Sequence, residues 1–166
     1  QYINLEETLD YIHGSAEVVG LMMAKILDLP SQSYNAAMMM GRVFQFINFL
    51  RDIGEDQKLG RTYFPIEEFS QFDLVNLSEK AIWENPKNYQ NFINFQLDRY
   101  KLWQAQAETG YQFIPKRYLV PIKTAAKMYL WLEPELRKDP LAVYHHKLKP
   151  PVWRILVWGC YYALTL

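Results

Sequence analysis

Apolar positions recur at intervals of three and four residues along most of the chain, and alternation of period two is nowhere sustained, so helices are expected and strands are not. The first helical pattern is EETLDYIHGSAEVVGLMMAKIL, from Glu6 to Leu27. It contains no proline, and its small residues Gly14, Ser15, Ala16 and Gly20 point to close approach by a neighbouring helix. Pro30, Ser31 and Ser33 break the pattern, and Ser31 or Ser33 is placed to cap a second helix running from about Tyr34 to Gln57. Gly60 ends that helix, GRTYFP follows as an irregular segment, and IEEF reads as one short turn. Three more helices are expected: from Pro86 to about Gly110, from Pro121 to about Lys138, and from Pro151 to the C-terminus. The class is all-α, a helical bundle, with neither an internal repeat nor a low-complexity segment.

Composition narrows the function. A chain of 166 residues, half of them hydrophobic and 16% aromatic, reads as a single well-packed domain over residues 1–166. Its 18 basic and 18 acidic residues cancel, so no broad positive field would draw it to nucleic acid, and any bound anion must be held locally. The lone Cys160 excludes an internal disulfide and a cysteine-based zinc cluster, and with no signal peptide a cytoplasmic setting is expected. The apolar run VWRILVWGCYYALTL is interrupted by Arg154 and is shorter than the roughly 20 residues that span a bilayer. It is read as a buried closing helix, with peripheral membrane contact as the alternative.

The chemistry concentrates in QFINFLRDIGEDQKLGRTYFP, residues 45–65. With Gln45 at zero on a helical wheel, Asn48 falls at about 300°, Asp52 at about 340° and Asp56 at about 20°, which makes one narrow polar stripe. Val43, Phe46, Ile47, Leu50 and Ile53 occupy the opposite, apolar side. By periodicity alone this is an ordinary amphipathic helix. A solvated face usually carries long Lys and Glu side chains, however, whereas this stripe offers short oxygen donors of the kind a hard cation such as Mg²⁺ takes. Such a partial shell leaves positions for a diphosphate, to which Arg51 and Arg61 are placed to donate.

The composite Gln45, Asn48, Arg51, Asp52, Glu55, Asp56, Gly60, Arg61, Tyr63, Pro65 resembles the squalene/phytoene synthase family, the head-to-head trans-isoprenoid prenyltransferases. The upstream YIHGSAEVVGLMM resembles the family's tyrosine-rich helix, and Tyr129 followed by VYHHKLKPPVWRIL resembles its C-terminal tyrosine and basic stretch. The resemblance implies the isoprenoid synthase bundle and a Mg²⁺-assisted condensation of two prenyl diphosphates through a cyclopropyl intermediate. The product would be a carotenoid precursor or a hopanoid or sterol precursor, and NADPH would be needed only for a squalene-type product. It assigns Asn48, Asp52 and Asp56 to metal, and Gln45, Arg51, Arg61, Tyr129 and Lys147 to the diphosphate. Arg51, Tyr11 and Tyr129 are its catalytic candidates. Lys147 stands where arginine is more usual, and at His13 other members often carry a second tyrosine.

One departure shapes the reading. The family has an earlier aspartate-rich helix facing the second cluster, and here Asp10 and Asp28 have no aspartate partner one turn away. The chain is therefore expected to be the C-terminal part of such a domain, incomplete at its N-terminus and inactive alone. A missing segment or a partner chain would bring the first cluster. The alternative is a non-catalytic helical module that binds a prenyl chain or a partner subunit. A terpene cyclase fits the GRTYFP and VVGLMM segments less well. The aromatic run Tyr89, Phe92, Phe95, Tyr100, Trp103 and the methionines 22, 23 and 38–40 are read first as core and second as channel lining; adjacent His145 and His146 are read as solvated.

Overall fold

The computed structural model describes residues 1–166. Asn4 caps helix α1 (Leu5–Ile12), its side chain accepting from the Glu7 backbone N–H at 3.0 Å. The helical path continues through a wider π turn, His13–Glu17, into α2 (Val18–Ile26). A short 3₁₀ turn, Ser31–Ser33, leads into the central α3 (Tyr34–Lys58). Neither serine caps it: the Ser33 hydroxyl turns back and donates to the Pro30 carbonyl at 2.8 Å. At the far end Gly60 takes φ +67°, a left-handed conformation that suits glycine and stops the helix.

The rest of the chain wraps α3. Short helices α4 (Ile66–Ser70) and α5 (Glu79–Glu84) precede the long α6 (Pro86–Glu108), which passes into a 3₁₀ turn at Thr109–Phe113. Then come α7 (Lys116–Leu130), α8 (Leu132–Lys138), α9 (Ala142–His145) and α10 (Val152–Thr165). There is no strand, only a single parallel bridge between Tyr2 and Pro65. The helix expected to begin at Pro121 begins instead at Lys116, after Pro115. Pro121 lies in its second turn, where a missing N–H removes one early backbone bond.

The core lies between α3 and α6. Val43, Phe46, Ile47 and Leu50 from α3 are fully buried and Ile53 nearly so, which is the apolar face the spacing indicated. They meet Phe92, Ile93, Leu97 and Tyr100 of α6, with Phe64 packed edge-on to Phe46 and Phe92. Tyr89, Phe92 and Tyr100 are therefore core residues. On its other side α3 meets the α1–α2 arm almost backbone to backbone. A Cβ at Gly20 would sit 2.1 Å from the Ala37 carbonyl oxygen, and one at Gly41 would sit 2.2 Å from that of Ala16. Gly14, expected to serve the same purpose, has nothing within 4 Å of its Cβ position.

The C-terminal run differs from its expected burial. Helix α10 packs on α7, where Lys123 and Lys127 lie 5.1 and 4.7 Å from the Tyr162 and Trp158 ring centres. It has no buried residue, and Val152, Leu156 and Leu164 are 73%, 67% and 87% exposed. A helix resting mainly on one neighbour covers only a narrow face. No helix is long and apolar enough to cross a membrane.

Candidate functional site

Helix α3 carries two different surfaces in line. Ser33 at its N-terminal edge and its own residues Ala37, Gly41, Gln45 and Asn48, spaced three and four apart, line one side of a cavity of about 410 Å³. At 1.5 Å per residue this side is about 22 Å long. The α1–α2 arm, the 3₁₀ turn after α6 and helix α7 close the other sides. Fifteen of the 22 lining residues are hydrophobic, which suits a hydrocarbon. Met23 and Met40 are among them, whereas Met39 belongs to the core and Met22 is exposed. The amides of Gln45 and Asn48 stand at the C-terminal end of this face, with Tyr129 reaching the same cavity from α7 and stacking on Phe44 at 4.6 Å.

Beyond Asn48 the same helix becomes ionic. Arg51 donates twice to Asp52, Nε to Oδ1 at 2.8 Å and Nη2 to Oδ2 at 2.5 Å. Lys147, arriving from the segment after α9, lies 2.6 Å from Glu55 Oε2 and 3.2 Å from Asp52 Oδ1. Burial raises the Asp52 carboxyl, but the hydrogen bonds and positive charges of Arg51 and Lys147 outweigh it and leave the group below the usual carboxylate range. Arg51 is raised in turn by its bond to Asp52, and Lys147 by its bond to Glu55. Asp56, one turn on, moves the other way: burial and the negative charge of Asp52 raise it, with Arg61 opposing.

The structure thus brings Gln45, Asn48 and Tyr129 to the polar end of one cavity, and sets the linked Arg51, Asp52 and Lys147 beside it, with Arg51 within electrostatic reach of Tyr129. Asp56 on the next turn and Arg61 just past the helix end lie beside Tyr63, in a small separate crevice. Tyr11 joins that second group rather than the cavity. Its ring packs on Tyr63 at 5.3 Å and Phe49 at 6.2 Å, and Phe49 and Tyr63 stack at 4.3 Å. His145 and His146 are exposed and belong to neither group.

The donor set fits a hard cation in part. The Asn48 side-chain oxygen is buried and has no hydrogen-bond partner, so it is an oxygen donor held ready at the cavity end. Asp56, beside a second carboxylate, is the kind of group whose charge a cation would relieve. No three His, Cys, Asp or Glu side chains converge as a closed cage, so α3 offers one side of a shell.

Two participants carried no clear sequence signal. Glu17, with a side chain only 3% exposed, closes the π turn against α3 by pairing with Arg42 and with His13 Nδ1. Arg42 also lies 5.2 Å from the Trp103 ring centre. The one available hint was an acid in the otherwise apolar SAEVVGLMM.

Comparison with known proteins follows the same outline. The sequence model of the family described as squalene/phytoene synthase matches residues 1–154. A 15-cis-phytoene synthase of Synechococcus elongatus is 28% identical over 171 residues, covering 94% of this chain and 54% of the relative. Phytoene synthase 1 of Arabidopsis thaliana is 33% identical over 119 residues, covering 66% of this chain and 28% of the relative. Among solved structures, a dehydrosqualene synthase aligns with TM-score 0.84 at 20% identity, over 99% of this chain and 58% of its own. The squalene synthase HpnC from Alicyclobacillus acidocaldarius aligns with TM-score 0.76 at 21% identity, over 84% and 53%. The chain spans about half the length of the first of these relatives.

Proposed function

Because the chain belongs to the squalene/phytoene synthase family, we propose that it forms one wall of the active site of an enzyme that joins two prenyl diphosphates head to head, with a phytoene-type product. The observation that carries this reading is the continuity of one helical face. An apolar cavity whose α3 side is about 22 Å long, a length that suits a hydrocarbon tail, ends at Gln45 and Asn48, and the same helical stripe runs on through Asp52 to Asp56 in the neighbouring crevice. The relatives named as phytoene synthases support the phytoene-type product. That outcome needs no reductant, so NADPH consumption would mark a squalene-type enzyme instead.

The side chains divide the work. Asn48, Asp52 and Asp56 would hold Mg²⁺, which when bound supplies positive charge to a departing diphosphate. Arg51 and Lys147 now share Asp52 and Glu55 between them. A diphosphate at the cavity mouth competes for those donors, and charge-assisted bonds from Arg51 and Lys147 then hold the leaving group. Arg61, exposed past the helix end beside Asp56, would add a further cation toward the diphosphate. Tyr129 stands between the Arg51 cluster and the hydrocarbon space, where it orients the reacting end of the chain. The apolar walls keep water from the carbocation. The facing carboxylate cluster is expected from a segment outside residues 1–166 or from a partner chain.

The test is turnover of geranylgeranyl and farnesyl diphosphate with Mg²⁺ by the full-length protein that contains this chain. Asp52→Asn together with Asp56→Asn is expected to lower turnover by roughly 1,000-fold, the scale of lost electrostatic stabilisation of a leaving group. Normal turnover in that variant would remove both residues from the mechanism. Tight prenyl-chain binding without any turnover in the parent would favour a non-catalytic module.

A further inference from the structure

A set of buried polar groups lies behind the α6 side of the cavity, unused by the reading above. Tyr100 and Gln104 stand one turn apart on α6 and are 0% and 4% exposed. The Tyr100 hydroxyl and the Gln104 side-chain oxygen are both without a hydrogen-bond partner. The Gln104 amide nitrogen donates to Glu108 Oε1 at 2.8 Å, one turn further along. Tyr111, in the 3₁₀ turn after α6, interacts with Gln104 and Glu108, and Tyr100 is within electrostatic reach of both Tyr111 and Tyr129. Tyr111 and Tyr129 line the cavity, so the buried set is coupled to it at two places.

Two neighbouring orphans of opposite character call for a ligand. A buried hydroxyl needs an acceptor, a buried amide oxygen needs a donor, and native interiors leave few such groups unsatisfied. One water molecule supplies both, and it can also accept from a phenol at the cavity wall and donate its second hydrogen to the Glu108 carboxylate, within the roughly two to four bonds of internal water. Burial raises the Tyr100 and Tyr111 hydroxyls above the usual phenol range, so both keep their protons and are donors toward such a water.

We propose that Tyr100, Gln104, Glu108 and Tyr111 hold an internal water behind the cavity wall, and that this site carries away the proton lost when the condensation product forms its last double bond. The second half rests on the prenyl condensation proposed above. A carbocation becomes an alkene when the electron pair of an adjacent C–H bond forms the new π bond. The Tyr111 oxygen receives that proton as its own passes to the water, and a proton from the water passes to the Glu108 carboxylate. The substrate loses one positive charge and Glu108 one negative charge. Glu108 is partly exposed and returns the proton to solvent.

Three measurements on the full-length protein test this. A crystal structure fine enough to show solvent is expected to hold a water within hydrogen-bond distance of Tyr100 Oη and Gln104 Oε1. Thermal melts of Tyr100→Phe, Gln104→Leu and the double variant should show each single change lowering Tm and the double losing less than the sum, because each single change strands the other group. A Tm for Tyr100→Phe equal to or above the parent's means a dry site and overturns the proposal. For the relay, Tyr111→Phe and Glu108→Gln are expected to raise the ratio of cyclopropyl intermediate to final product by roughly 100-fold, the lower end of proton-transfer catalysis. An unchanged ratio overturns the relay and leaves the departing diphosphate as the base. A parent protein inactive on prenyl diphosphates would refute the functional reading, while the density and the melts would still decide the water site.

Discussion

Gly20→Ala tests the feature on which the cavity wall depends. The added Cβ would lie 2.1 Å from the Ala37 carbonyl oxygen. A carbon and a carbonyl oxygen in contact sit about 3.3 Å apart, so α2 and α3 must separate by about 1.2 Å. The obstructing atom is backbone within a helix, and no side chain can swing aside to make room. Overpacking of this kind costs about 1–3 kcal/mol, and alanine returns about 1 kcal/mol through its better helix propensity. With a backbone obstruction that cannot yield, the cost belongs at the upper end of that range, about 2–3 kcal/mol, and we expect a net loss of about 1–2 kcal/mol, which for a protein of this size lowers Tm by about 2–8 °C. Gly14→Ala is the internal control. Nothing lies within 4 Å of its Cβ position, so the same chemical change should gain about 0.5–1 kcal/mol. Thermal melts followed by circular dichroism measure both. If Gly20→Ala melts at or above the parent temperature, the close crossing of α2 and α3 is wrong, and the cavity dimensions fall with it.

Other outcomes follow from the same geometry. Asn48→Leu removes a buried amide oxygen that has no partner, so the melting temperature should hold or rise while prenyl diphosphate turnover by the full-length protein falls by roughly 100-fold or more; full activity would show that the amide is not a ligand. Arg42→Met strands the Glu17 carboxylate with only His13 beside it. It should cost about 3 kcal/mol, the low end for breaking a buried pair because Arg42 is itself 22% exposed. A urea titration reads that loss, Glu17→Gln added to it should recover part, and a parent-like midpoint for Arg42→Met would make the pair dispensable.

What the sequence made legible was α3, since a 25-residue helix displays its period many times over. Its apolar face from Val43 to Ile53 and the Gln45 to Asp56 stripe both lie where wheel arithmetic put them. The pairings within that stripe were not legible. Arg51 and Asp52 are chain neighbours, whose side chains diverge on an ideal helix, yet the long guanidinium folds back to reach the carboxylate. Lys147 meets Glu55 across 92 residues, a contact that only the packing of α9 beside α3 creates. Proline misled in α7, because Pro121 reads as a helix start, whereas the helix begins five residues earlier, after Pro115, and carries Pro121 inside it. Hydrophobicity misled in α10, because composition reports what a side chain prefers, whereas exposure depends on which neighbours are there to cover it. The unpartnered states of Asn48, Tyr100 and Gln104 exist only in three dimensions, and the functional arguments at both ends of the cavity depend on them.

The π turn at His13–Glu17 sets a constraint of length that is separate from residue identity. Ile12, Ala16, Gly20 and Ala24 face inward from the first arm, each four residues after the last. On an unbroken α-helix twelve residues turn through about 1,200°, so a seam spaced by fours would wander about 120° around the cylinder. A π turn takes up about one extra residue, and the remaining eleven turn through about 1,100°, within about 20° of three full revolutions. The wide turn therefore acts as a phase corrector. It holds a straight inward-facing seam in line with α3, whose small residues Ala16, Gly20 and Ala24 run along the cavity wall, so five residues are needed there whatever their side chains.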